Sequence, residues 1–306
     1  MKLRSIVSAS VATLALFAAN PAFADAHMEA AGETALPSGP EGPALWKVAD
    51  EDTTIYLFGT VHALKPNVQW YDAEIDAALQ SADTVVTEIK MDPASEAAMQ
   101  QMALQRGMFT DGTTLRSVLD EEQTAKYEAA LAGMGIPAAT FDPFEPWMAG
   151  LTLTMLPLLQ KGYDPNSGVD KIILGKSGDT AKDALETVEF QLGIFDGMPM
   201  DQQVEFMISA AEGAGEAEAM LDKMVAEWVE GDAEGLAAVM NEGMEGEGFA
   251  EVLLYNRNVN WAEWIESRLE TTPGTVFIAV GAGHLAGERS VQDYLAERGI
   301  ETTRVQ

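Results

Sequence analysis

The chain has 306 residues, with 18 Lys+Arg against 49 Asp+Glu and a formal net charge of -31 at pH 7. A surface this negative repels phosphates, which excludes nucleic acid as a partner and disfavours anionic membranes. Its 47% hydrophobic and 22% charged residues are those of a globular protein able to bury a core, and the absence of cysteine removes disulfides, thiolate-held metals and thiol nucleophiles.

The N-terminus reads as an export signal. Lys2 and Arg4 form a basic head, residues 5–24 carry no charge, and Ala22-Phe23-Ala24 before Asp25 is a small-x-small cleavage pattern. The apolar run is short for a membrane span. The expectation is cleavage after Ala24, a periplasmic or secreted product, and no stable membrane insertion afterwards. Residues 25–43, rich in Ala, Gly, Glu and Pro, read as a flexible leader, and residues 44–306 as a single domain.

Trp46-Lys47-Val48 and Thr53 to Phe58 read as strands joined by a turn over Ala49 to Asp52. Asp72 to Gln80 has helical apolar spacing and leads into Thr84 to Ile89, a further strand. Strand, helix and strand in this order predict a right-handed parallel crossover. Residues 93–248 are mainly helical in pattern, with a short strand near Ala184-Leu185. The uncharged stretch Pro146 to Gln160 suits a buried helix, and the methionines concentrated in this region suit core filler. A helix over Leu253 to Leu269 follows, then a buried strand over Thr275 to Val280, a helix over Ser290 to Glu297 and a last strand over Glu301 to Val305. The fold class expected is α/β: a mixed, largely parallel sheet from the N- and C-terminal parts, with a large helical insertion in the middle.

Histidine is scarce, and His27 falls in the leader. The other two share one context, an apolar strand ending in Gly59-Thr60-Val61-His62 and another ending in Gly281-Ala282-Gly283-His284. Glycine frees the chain to leave a sheet with unusual dihedrals, and the carboxyl ends of strands are where open α/β sheets bind ligands. Glu88, a carboxylate inside Val-Val-Thr-Glu-Ile, joins them if the strands are neighbours. Two imidazoles and a carboxylate with open positions for water suit a divalent ion such as Zn, Mn, Fe or Co. The plainer alternative is a pair of hydrogen-bonded turn histidines and a solvated edge-strand acid. Gly175-Lys176-Ser177 lacks the earlier glycine of a phosphate loop, and no Gly-x-Ser-x-Gly elbow is present.

The paired Gly-x-x-His motifs, with a Glu on the next strand, resemble the TraB/PrgY/GumN family, a relative of the Tiki-type proteases. Gly168-Val169-Asp170, Leu185-Glu186-Thr187 with Gln191-Leu192, Arg257-Asn258 and Val280 to Leu285 are similar to its GumN-like branch. The similarity runs from Ala44 to Val305. The resemblance implies a mixed α/β fold and, through the Tiki-type relatives, a metal-dependent peptidase. Its candidate residues map onto His62, Glu88, Arg257, Asn258 and His284. On that reading the histidines bind metal, Glu88 is a third ligand or the general base, and Arg257 and Asn258 position substrate or stabilise an oxyanion. Asp170 reads first as a helix N-cap and second as a carboxylate that orients a histidine. The branches are tied to polysaccharide biosynthesis by operon context and to limiting peptide pheromone activity. A binding protein that sequesters a peptide or small ligand, and an accessory of envelope polysaccharide synthesis, stay open beside the hydrolase.

Overall fold

A strand that sits between two helical layers needs apolar side chains on both faces, hence a nearly continuous apolar run, and two segments have one. In the computed structural model, which describes residues 42–243 and 249–306, these are β2 (Thr53–Thr60) and β5 (Gly274–Gly281). The proposed signal segment, His27 and nearly all of the leader lie outside the described residues. Ile55, Leu57, Val276, Ile278 and Val280 point into one core; Phe58, Phe277 and Ala279 point into the other. A six-stranded mixed sheet is built around this pair. The other strands are β1 (Leu45–Ala49), β3 (Thr84–Thr87), β4 (Ala181–Ala184) and β6 (Thr303–Arg304), in the order β4-β3-β5-β2-β1-β6. β4, β3, β5 and β2 run parallel, whereas β1 is antiparallel to both β2 and β6. The β1–β2 turn forms because Asp50 Oδ1 accepts the main-chain N–H of Asp52 at 3.0 Å and of Thr53 at 2.8 Å.

The helix expected after β2 is α1 (Ala73–Gln80), capped by Asp72, whose side chain accepts the Ile75 N–H. It carries the chain from β2 to β3. These strands are parallel but not adjacent, because β5 inserts between them. The middle of the chain supplies α2 (Pro93–Arg106), α3 (Glu121–Gly133), α4 (Pro146–Gln160), α5 (Val169–Lys176), α6 (Val188–Asp196), α7 (Met200–Gly213), α8 (Ala217–Val229) and α9 (Ala233–Gly243). α4 is buried nearly all round, as its uncharged sequence predicts. It lies between the sheet's core and a separate core with α3 and α7 that includes Tyr127, Leu131, Leu153 and Met207. The edge strand β4 comes from this helical stretch and is largely exposed, so its Ala-Lys-Asp-Ala sequence has little apolar signal.

A single π-turn, Glu251–Tyr255, precedes α10 (Asn256–Thr271), and α11 (Val291–Glu297) follows β5. Trp261 and Ile265 of α10 and Leu295 of α11 cover the face opposite α1 and α4. Among the described residues, no helix is long and apolar enough to cross a membrane.

Candidate functional site

The strand order brings together the carboxyl ends of β2, β5 and β3, and His62, His284 and Glu88 lie just beyond them. The glycines at these ends do not act through unusual dihedrals, as the sequence reading supposed, for none of Gly59, Gly281 and Gly283 has a positive φ. Gly59 and Gly283 act by leaving room. A Cβ on Gly59 would meet Ala282 Cα at 3.0 Å, and one on Gly283 would meet Met240 Cε at 2.3 Å. Missing side chains therefore let the two histidine-bearing turns and α9 pack against each other.

Each imidazole is fixed through its Nδ1. His62 Nδ1 meets Asp170 Oδ2 at 2.6 Å, and the other Asp170 oxygen accepts from Thr60 Oγ1 at 2.8 Å. The preferred reading of Asp170 as an N-cap is thereby overturned. Gly168 caps α5, and Asp170, inside the first turn, projects its carboxylate onto His62. His284 Nδ1 meets Asn258 Oδ1 at 2.5 Å, and Asn258 Nδ2 donates to the Arg289 carbonyl at 2.8 Å. Because the Asn258 amide nitrogen is occupied, its oxygen faces the ring and His284 Nδ1 must be the protonated nitrogen. The Nε2 atoms of His62 and His284 then lie 4.0 and 3.9 Å from one oxygen of Glu88, Oε1. His62 Nε2 is buried and has no hydrogen-bond partner. Leaving such a group unmatched costs ~1–3 kcal/mol.

Arg257 ties these parts to two further residues. It is fully buried, and each of its five N–H donors has an acceptor. Nε and Nη2 bond Glu186 at 2.8 and 2.9 Å, and Nη2 also bonds Glu88 Oε2 at 2.6 Å. Nη1 bonds the Leu253 carbonyl at 2.9 Å and His284 Nε2 at 3.1 Å. Glu186 accepts from Trp261 Nε1 and Gln191 Nε2 as well, and Gln191 also reaches Glu88 Oε2 at 2.9 Å. Glu88 Oε1 accepts the Gly281 N–H at 2.8 Å. In this conformation Arg257 has no donor left for a substrate, and both Arg257 and Asn258 orient protein groups.

Charge follows from these contacts. Burial alone would depress His62, but the charge and hydrogen bond of Asp170, with Glu88, raise its pKa above the ordinary 6.5. His284 goes the other way: burial first, then the Arg257 charge, holds it well below 6.5 and neutral. Burial would raise Glu88, yet Arg257 above all keeps it below the usual carboxylate range. Glu88 and Glu186 share the one guanidinium of Arg257, and Asp170 faces His62.

The donor types fit a divalent cation: two imidazoles with Nδ1 tied to oxygens, Nε2 atoms converging on a carboxylate, and one of those Nε2 atoms unmatched. The arrangement is nonetheless not a preformed cage. Among the described residues, no group of three or more His, Asp or Glu side chains is placed to hold an ion, and Arg257 takes up His284 Nε2 and one oxygen of Glu88. A small, mostly apolar crevice lies beside the centre, lined by Thr60, Val61, Met224, Leu236, Met240 and Gly283. Its ≈ 20 Å³ is room for a water or two. Glu186 and Gln191 were not assigned roles from sequence. The available signal was the acid directly after the apolar Ala184-Leu185, at the end of an expected strand, as Glu88 is.

Fold and centre together define an α/β protein with a buried histidine–carboxylate–arginine cluster at the carboxyl ends of parallel strands. A family model described as the TraB/PrgY/gumN family matches residues 44–304, and the chain belongs to that family. Comparison with curated proteins and with solved structures gives no significant match.

Proposed function

We propose that the protein is an exported hydrolase of peptide bonds that depends on a divalent ion of the Zn, Mn, Fe or Co class, held by His62, Glu88 and His284. The observation that carries this reading is the convergence of both Nε2 atoms, at 4.0 and 3.9 Å, on one oxygen of Glu88. Bound there, a divalent ion would polarise a substrate carbonyl and lower the pKa of a coordinated water.

The chain's own residues do the rest. Asp170 and Asn258 hold the rings so that lone pairs at Nε2 face inward once His62 has lost its second proton. Gly281 N–H aims Glu88 Oε1, either as a ligand or as the base for a water. Glu186 grips Arg257 through Nε and Nη2, so the guanidinium does not collapse onto Glu88 alone. For His284 to offer its Nε2, Arg257 must release one of its five hydrogen bonds, and it keeps four. The deep burial of Glu88, Arg257 and His284 excludes bulk water from the centre.

Turnover tests the reading. Purified protein is incubated with a peptide library and each metal, and new termini are sought by mass spectrometry. Metal-dependent cleavage lost in His62→Ala is the expected result; no cleavage with any metal contradicts it. Export is checked separately. Protein recovered from a Gram-negative periplasm should begin at Asp25, and an intact Met1 in the membrane fraction would refute cleavage. One observation favours a second reading, a non-catalytic binding protein for a peptide or small ligand: Arg257 completes the hydrogen bonds of His284 without an ion. That reading expects tight binding and no products.

A further inference from the structure

Arg289 follows the turn that carries His284. Among the described residues it is the one non-glycine with a positive φ, at 60°. The left-handed conformation strains any residue with a Cβ. Here it accompanies a specific contact: the Arg289 carbonyl accepts from Asn258 Nδ2 at 2.8 Å. With its nitrogen held, Asn258 has only its oxygen to present to His284 Nδ1, at 2.5 Å. Carbonyl, amide and imidazole thus form a relay in which each link sets the next.

The Arg289 side chain braces the same turn from outside. Its two Nη atoms pair with the Glu251 carboxylate, its guanidinium lies 3.9 Å from the centre of the Tyr255 ring, and Nε donates to Tyr294 Oη at 3.0 Å. Glu251 and Tyr255 are the first and last residues of the π-turn that leads into α10, the helix bearing Arg257 and Asn258. The clamp therefore joins the turn that supplies the carbonyl to the helix that supplies the amide. It acts from the surface, since the Arg289 side chain is 45% exposed.

We propose that Arg289 is a positioning residue for His284, acting through Asn258. Its left-handed main chain aims the carbonyl, and its side-chain clamp offsets the strain of that conformation. The functional weight of this assignment rests on the proposed centre; its geometry and its test do not.

The test is proton exchange at His284 Nδ1–H, followed by NMR on the full chain carrying ¹⁵N-labelled histidine. A short, buried hydrogen bond to Asn258 Oδ1 gives a downfield, slowly exchanging proton. Arg289→Ala removes the clamp and keeps the strain, so exchange should quicken by at least ~5-fold, the scale of a left-handed non-glycine residue. Arg289→Gly adopts the same φ without strain and should stay within ~2-fold of wild type. Backbone amides of β5 serve as the internal reference. The proposal is overturned if Arg289→Ala exchanges like wild type, if Arg289→Gly is as fast as Arg289→Ala, or if the β5 amides quicken by the same factor. Neither metal nor turnover enters the measurement, so it and the hydrolase reading stand or fall separately.

Discussion

Arg257 engages all five of its donors inside the protein, and the two carboxylates it joins would otherwise face each other unpaired in the core. Breaking a buried pair by removing one partner costs ~3–5 kcal/mol, and Arg257→Ala should lose about that in urea unfolding. Arg257→Lys should lose nearly as much, because a compact ammonium does not span both carboxylates. A loss under ~1 kcal/mol for Arg257→Ala would contradict the placement. The histidines give a second prediction at this scale. His62 is raised in the fold, so its contribution is complete below pH 6.5 and fades as pH rises through its folded pKa. His284 is lowered, so stability falls as pH drops from 6.5 towards its folded pKa. In chelator-treated protein the pair should produce a stability maximum near pH 6.5. His62→Gln should flatten the alkaline side and His284→Gln the acid side; unfolding curves across pH read both. His62, Glu88 and His284 were legible in the sequence because each is out of place in an apolar strand end. Glu186 and Gln191 stand in stretches that resemble the family, but their role shows only when packing sets them against Arg257 and Glu88.

Strands and helices act here by how closely their ends approach. Met240 of α9 lies where a side chain on Gly283 would be. Because the clashing atoms are the flexible end of Met240, Gly283→Ala should cost only the low end of overpacking, about 1 kcal/mol, and less in a Met240→Ala background. A double-mutant cycle with no coupling would show that α9 does not fix this turn. The elements themselves were largely readable, since α1 has the one-sided apolar spacing of a helix on a core, and β2, β5 and α4 have the apolar runs that two-sided or all-round burial demands. The π-turn before α10 was hidden inside one continuous helical pattern. Asp170 takes the second of its two sequence readings, orienting a histidine, because the N-cap position falls on Gly168 and its carboxylate reaches His62, a partner far along the chain.

At the scale of the molecule, the centre exists because the last long strand inserts between the first two parallel ones. The β3-β5-β2 order places residues from the two ends of the domain beside Glu88, and no local pattern specifies that order. Whole-molecule charge also governs how the centre has to be tested. A chain with net charge -31 collects cations over its whole surface. Metal binding must be measured at ~0.5 M salt, where the Debye length is under ~5 Å and diffuse attraction is screened. The deciding measurement is the metal-to-protein ratio by mass spectrometry after dialysis in that salt, for wild type, His62→Ala and His284→Ala. Wild type should retain a single ion per chain, and either variant should bind at least ~10-fold more weakly. Because the raised His62 proton competes for Nε2, wild-type affinity should also fall as pH drops through a value above 6.5. If both variants keep the stoichiometry and affinity of wild type, the histidines are not ligands and the metal-dependent hydrolase is ruled out.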